Sequence, residues 1–238
     1  MSEILLIRHA EAHLGRSRMD RDYHLTARGR RQAHTLGRSL AAMDIRPARI
    51  HCSTLTRARE TARILAHYVP APLKLNSELI EHGSRVLTLN CSLKEAVRRH
   101  PDLIEKNGAV TYSQGRGGGL NWSFCIGGET LRQLHRRALK AWTGIAKSTL
   151  PDETVLVVAH ASFLSAMLTE VFALKLEKEW RFSFPNAGFI RMNLTSNADG
   201  KRVPILCADF PGRGPGPNPE PREVGASKLA RPPRTSKP

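Results

Sequence analysis

Apolar residues come in short continuous runs along this chain, and stretches with three- and four-residue spacing lie between them. Residues 4–7, Ile-Leu-Leu-Ile, are the first run and read as a buried strand. The stretch TARGRRQAHTLGRSLAAM, 26–43, then reads as a basic amphipathic helix with Thr26 as its N-cap. A short strand is expected at RIHCS, 49–53, and a helix at TRARETARILAHY, 56–68, with Ala62, Leu65 and Ala66 toward the core. Alternation in PLKLNSEL, 72–79, predicts a third strand. Helix 129–148, the strand TVLVVAH at 154–160 and helix 162–174 restore the rhythm, and strands are expected at 188–195 and 202–209.

Strands alternating with helices predict an α/β fold of three layers, α/β/α, around a mostly parallel sheet. Residues 82–128 break the pattern. They hold a candidate helix, SLKEAVRRHPDLIEK, and the glycine-rich SQGRGGGLNW, and read as a helical and loop cap inserted in a domain spanning 1–210. QGRGGGL lacks the G-K-[ST] ending of a P-loop, so a lid carrying Arg116 and Trp122 is the expectation there. From 211 to 238 the chain holds eight prolines, six basic and two acidic residues, the composition of a disordered basic tail.

Most of the net charge of +16 lies ahead of that tail, which suits small anionic substrates. Aromatic residues are only 5% and scattered, so the stacking platforms of a nucleic-acid surface are not expected. No apolar run approaches the ~20 residues of a membrane span, and the run before Arg8 is too short for a signal peptide. Cys52, Cys91, Cys125 and Cys207 form no C-x-x-C pair, which points to reduced thiols in a cytoplasm and away from structural zinc.

Two of these strands end in histidine, His9 after Arg8 and His160 after the most apolar run. In an open α/β sheet, ligands bind outside the carboxyl ends of the strands, so both histidines reach one site if their strands are neighbours. Arg57 follows the second strand, and Ser53 or Thr54 is placed to cap the helix between. Two guanidinium forks and two imidazoles suit a phosphoryl group, with neutral imidazole as a nucleophile toward phosphorus. The leaving oxygen then needs an acid, and SELIEHG offers Glu78, Glu81 and His82. His13, His24, His34, His67 and His135 are expected on solvated faces.

Taken together, LLIRHAEA (5–12), LTARGRRQA (25–33), CSTLTRARETA (52–62), LIEHG (79–83), GGET (127–130) and VLVVAHAS (155–162) resemble the ordered motifs of the histidine phosphatase superfamily, the phosphoglycerate-mutase-like proteins. The resemblance implies phosphoryl transfer through a phosphohistidine on His9, with Arg8, Arg57 and His160 binding phosphate and Glu81 giving the proton. It implies no metal and no cofactor. Ala10 and Ala161 stand where glycine follows each histidine in the family pattern, and its asparagine after the first motif is absent. The expected activity is that of a phosphatase of a small phosphorylated metabolite. Removal of phosphate from a protein phosphohistidine, a mutase reaction, and a phosphate- or nucleic-acid-binding module without catalysis are the alternatives.

Overall fold

Ile4, Leu5, Leu6 and Ile7 have no exposed surface, and their side chains alternate between two separate cores. Ile4 and Leu6 join one cluster and Leu5 and Ile7 the other, the period-2 consequence of a strand covered on both faces. The computed structural model describes residues 2–13, 23–82, 103–106, 109–112, 129–175, 182–196 and 202–207, with 103–106 and 109–112 as backbone. All of these lie within a unit running from Met1 to Ala208. The tail expected at 211–238, the candidate lid with Arg116 and Trp122, and the loop 14–22 lie outside the described residues.

The chain runs β1 (Ser2–Arg8), α1 (Ala27–Ala42), β2 (Pro47–Ser53), α2 (Thr56–Tyr68), β3 (Leu73–Asn76) and a 3₁₀ turn (Ser77–Leu79). After the hairpin β4 (Leu103–Lys106) and β5 (Ala109–Tyr112) come α3 (Leu131–Ser148), β6 (Thr154–Ala159), α4 (Ala161–Val171), β7 (Phe189–Ser196) and β8 (Arg202–Cys207). The main sheet has the order β3-β2-β6-β1-β7-β8. Its first four strands are parallel, while β7 and β8 are antiparallel additions. Helices α1 and α2 supply Leu36, Leu40, Ala62 and Leu65 to one face, and α3 and α4 supply Leu134, Ile145, Phe163 and Leu164 to the other. This is the three-layer α/β/α fold.

Thr26 caps α1 as expected, its Oγ1 accepting from the Gly29 N–H at 2.8 Å. Gly29 is required there, because a Cβ at this position would lie 1.9 Å from the Glu11 carbonyl oxygen. That close approach docks α1 against the segment leaving β1.

Four expectations need correction. The third strand stops at Asn76, whose Oδ1 accepts from the Glu78 N–H at 2.9 Å and curls the chain into the 3₁₀ turn. Residues 103–106 of the candidate cap helix are β4, paired antiparallel with β5. Pro101 lacks the N–H a continuous helix needs, so residues beyond it are free to pair as a strand. Neither Ser53 nor Thr54 caps α2. Leu55 holds that position without a side-chain bond, because the Ser53 hydroxyl is engaged by His160. His135 is buried, not solvated, and its Nδ1 meets Glu170 Oε1 at 3.0 Å.

Candidate active site

The sheet order makes β1 and β6 parallel neighbours, with Arg8 opposite Ala159 and the His9 N–H bonded to the Ala159 carbonyl at 2.9 Å. His9 and His160 therefore leave the sheet side by side. Their ring centroids are 5.0 Å apart, with planes inclined at 60°. β2 is the other neighbour of β6, so Ser53 and the start of α2 close the third side.

His9 is 8% exposed, and its Nδ1 lies 2.7 Å from the Ala10 carbonyl oxygen. A carbonyl only accepts, so Nδ1 carries the proton and Nε2 presents its lone pair. Arg57 Nε donates to that Nε2 at 3.1 Å. Burial, then the Arg57 charge and, more weakly, that of Arg8, pull the imidazole pKa down to about 3 against the Ala10 hydrogen bond. His9 is thus neutral at pH 7, with one tautomer selected by the backbone.

His160 is fully buried, with Nε2 2.8 Å from Ser53 Oγ. That oxygen also accepts from the Leu55 N–H at 3.3 Å. The other ring nitrogen of His160, Nδ1, is a buried atom without a partner among the described residues. Burial, followed by the Arg57 charge, lowers the pKa of His160 well below its ordinary value. It is a neutral ring beside His9.

Arg57 is 8% exposed and comes from the first turn of α2. Arg8 is half-buried, with Nη1 donating to the Phe184 carbonyl at 2.6 Å and Nε lacking a partner among the described residues. Burial lowers its pKa, and the Glu81 carboxylate opposes that shift.

Of the three candidate acids after β3, the structure turns one to this place. Glu81 sits at the N-terminus of α4, where Oε1 accepts from the His82 and Phe163 N–H groups at 2.8 and 3.1 Å, and Oε2 from that of Ser162 at 3.4 Å. Burial raises its pKa even against those bonds and the Arg57 charge. Glu78 reaches outward to Lys140 at 3.3 Å, and His82 Nε2 turns inward to the Glu129 carbonyl at 3.0 Å.

The alanines in place of glycine cost nothing in backbone strain. Ala10 is absent from the non-glycine residues at positive φ, and its N–H donates to Thr61 Oγ1 at 3.1 Å. Ala161 is the first residue of α4. The match to the Histidine phosphatase superfamily (branch 1) runs over residues 4–203. This chain belongs to that superfamily.

Among its relatives is the Serine/threonine-protein phosphatase Pgam5, mitochondrial, of Caenorhabditis briggsae, 47% identical over 81 residues that make up 34% of this chain and 27% of that protein. The chain thus spans about a quarter of that relative's length. Phosphoserine phosphatase 1 of Hydrogenobacter thermophilus is 26% identical over 200 residues, 79% of this chain and 85% of that protein. A mycobacterial glucosyl-3-phosphoglycerate phosphatase shares the fold, with a TM-score of 0.63 and 19% identity, covering 86% of this chain and 96% of that one.

Within this member of the superfamily, sequence reasoning passed over several residues that hold the site. Thr61 ties the site to its own helix, taking the Ala10 N–H and donating to the Arg57 carbonyl at 2.8 Å. Gln32 accepts the Glu11 N–H at 2.9 Å, and Glu60 accepts the Leu25 N–H at 2.9 Å. All three fall inside the quoted motifs, so the motif letters themselves were the signal. Among the described residues, no group of three or more His, Cys, Asp or Glu side chains is placed to hold a metal, and no helix is long and apolar enough to cross a membrane.

Proposed function

We propose that this chain is a phosphatase that hydrolyses a phosphate monoester of a small metabolite through phosphohistidine at His9, without a metal. His9 Nε2 attacks phosphorus and the bond from phosphorus to the ester oxygen breaks, while Glu81, protonated, gives its proton to the departing oxygen. Glu81 then takes a proton from water as the water oxygen attacks phosphorus. The N–P bond breaks, phosphate leaves, and both side chains return to their starting states. Arg8, Arg57 and the His160 Nδ1–H hold the three equatorial oxygens, where charge gathers in the transition state.

The observation that carries this reading is the tautomer of His9. A proton held on Nδ1 by the Ala10 carbonyl leaves Nε2 as an unprotonated nucleophile facing a guanidinium. The opposite displacement of the two titrating groups, His9 downward and Glu81 upward, matches a base and an acid working at the same pH. Arg57 occupies Nε2 here, and an incoming phosphate, which its fork binds bidentately, draws it away. A cytoplasmic setting belongs to the same proposal, supported by the scattered cysteines.

The likeness to Pgam5, named as a serine/threonine-protein phosphatase, favours a second reading in which the phosphate is carried by a protein side chain. One panel separates the two. Phosphate release is measured from phosphoserine, phosphoglycerates, sugar phosphates, phosphoserine peptides and a phosphohistidine peptide, with chelator present, for wild type and His9→Ala. Turnover of the free metabolites that vanishes in His9→Ala supports the main reading. Turnover confined to peptides selects the second.

A further inference from the structure

The motif GGET takes no part in the chemistry above, yet its acid is one of the few buried charges among the described residues. Glu129 and Arg137 are 8% and 6% exposed. Both carboxylate oxygens of Glu129 are used, one by Arg137 Nε and the other by Nη2, each at 2.6 Å. The remaining nitrogen, Nη1, donates to the carbonyls of Glu78 at 2.5 Å and Ile80 at 2.9 Å. On the far side of Glu81, His82 Nε2 meets the Glu129 carbonyl at 3.0 Å. The residues immediately before and after Glu81 are therefore both tied to this one pair.

The other wall of the Glu81 site is held as well. The Arg137 guanidinium lies 4.9 Å from the centroid of the Phe163 ring, and Phe163 supplies one of the N–H groups that Glu81 accepts. A buried ion pair is a poor way to add stability, since apolar residues of the same volume often do as well. What a guanidinium adds is direction, because its planar fork fixes several acceptors at once. Here the fork spends two nitrogens on Glu129 and points the third at the backbone carrying Glu81.

We propose that Arg137 and Glu129 are positioning residues that hold the 78–82 segment so that the Glu81 carboxyl meets the leaving oxygen. This rests on the reading of Glu81 as proton donor. Neither side chain touches the substrate. Loosening the pair costs protonation of the leaving group and leaves phosphate binding by Arg8, Arg57 and His160 in place.

The test compares Arg137→Lys, which keeps a cation beside Glu129 but loses the fork, with Glu81→Gln and their double variant. For each, kcat/KM is measured on phosphoserine, whose alkoxide needs a proton, and on 2,4-dinitrophenyl phosphate, whose phenolate does not. Arg137→Lys is expected to lower the phosphoserine value about tenfold more than the dinitrophenyl value, a partial loss of the roughly hundred- to ten-thousandfold that general acid catalysis supplies. In the Glu81→Gln background it adds less than about twofold. Equal losses on both substrates, or losses that add in full, overturn the proposal. Should Arg137→Lys fail to fold, Glu129→Gln, which breaks one arm of the fork, takes its place.

A readout without turnover separates this proposal from the function it rests on. If wild type hydrolyses neither these two substrates nor any member of the panel above, the functional reading fails, and the clamp is then judged by ¹³C NMR titration of the Glu81 carboxyl. A pKa that falls from its raised value toward the ordinary one in Arg137→Lys supports the clamp, and an unchanged titration overturns it.

Discussion

His9 is held neutral by a desolvated site beside two cations, and holding it so has a cost that acid reveals. The native ring takes up a proton only near pH 3, whereas the unfolded chain does so near 6.5. The unfolded state therefore binds more protons throughout that interval, and native stability is lost as pH falls from 6.5 toward 3. The full shift amounts to roughly 5 kcal/mol at about 1.4 kcal/mol per pH unit. Glu81 works in the opposite sense, since its raised pKa lets the native state take up a proton first as the medium is acidified. Urea unfolding at pH 7 and pH 4 should show His9→Gln losing less stability than wild type over that step. Equal losses would mean that His9 titrates as an ordinary histidine. Which residues end or closely follow strands was legible in the sequence, and that is how His9, His160, Arg8 and Arg57 were expected at one sheet edge, where the strand order gathers them. The burial that sets the protonation of the two histidines was not, because it depends on elements far along the chain.

At the scale of elements, the helices and inner strands were legible because each obeys its own period. β1 and β6 are built on the apolar runs 4–7 and 155–159, covered on both faces, and α2 occupies the residues its periodicity predicts. The misreadings fall where one side chain overrides a pattern. Asn76 ends an alternation that PLKLNSEL would have continued, and the His160–Ser53 bond removes a cap that composition favoured. His135 was misplaced because a helical histidine reads as solvated until its partner, Glu170 on α4, is known. Thr61 joins β1 to α2 through bonds no periodicity records. Thr61→Val keeps the shape and leaves the buried Ala10 N–H unpaired, at a cost of about 1–3 kcal/mol. Chemical denaturation should show that loss, and kcat should fall with it, because the same hydroxyl also holds the Arg57 backbone. A variant with unchanged stability would mean that Ala10 finds another acceptor.

The whole molecule contributes topology and field. The order β2-β6-β1 seats the end of β6, at Ala159, between those of β1 and β2, at Arg8 and Ser53, more than a hundred residues earlier, and that adjacency is what no local pattern could supply. The net charge of +16 gives the molecule an attractive potential for anions. Raising ionic strength from about 0.01 M to about 0.5 M should lower kcat/KM for a phosphomonoester several-fold while kcat changes little, since salt screens encounter more than a buried site. An unchanged kcat/KM would confine the role of the charge to solubility. The central claim remains chemical: phosphorus is bonded to His9 Nε2 during turnover. Rapid acid-free quenching of the enzyme with ³²P-labelled substrate, followed by base and acid treatment, tests it directly. Label that survives base, is released by acid and is absent from His9→Ala is the predicted result. Turnover without such label, or a His9→Ala variant that still releases phosphate, would contradict the account.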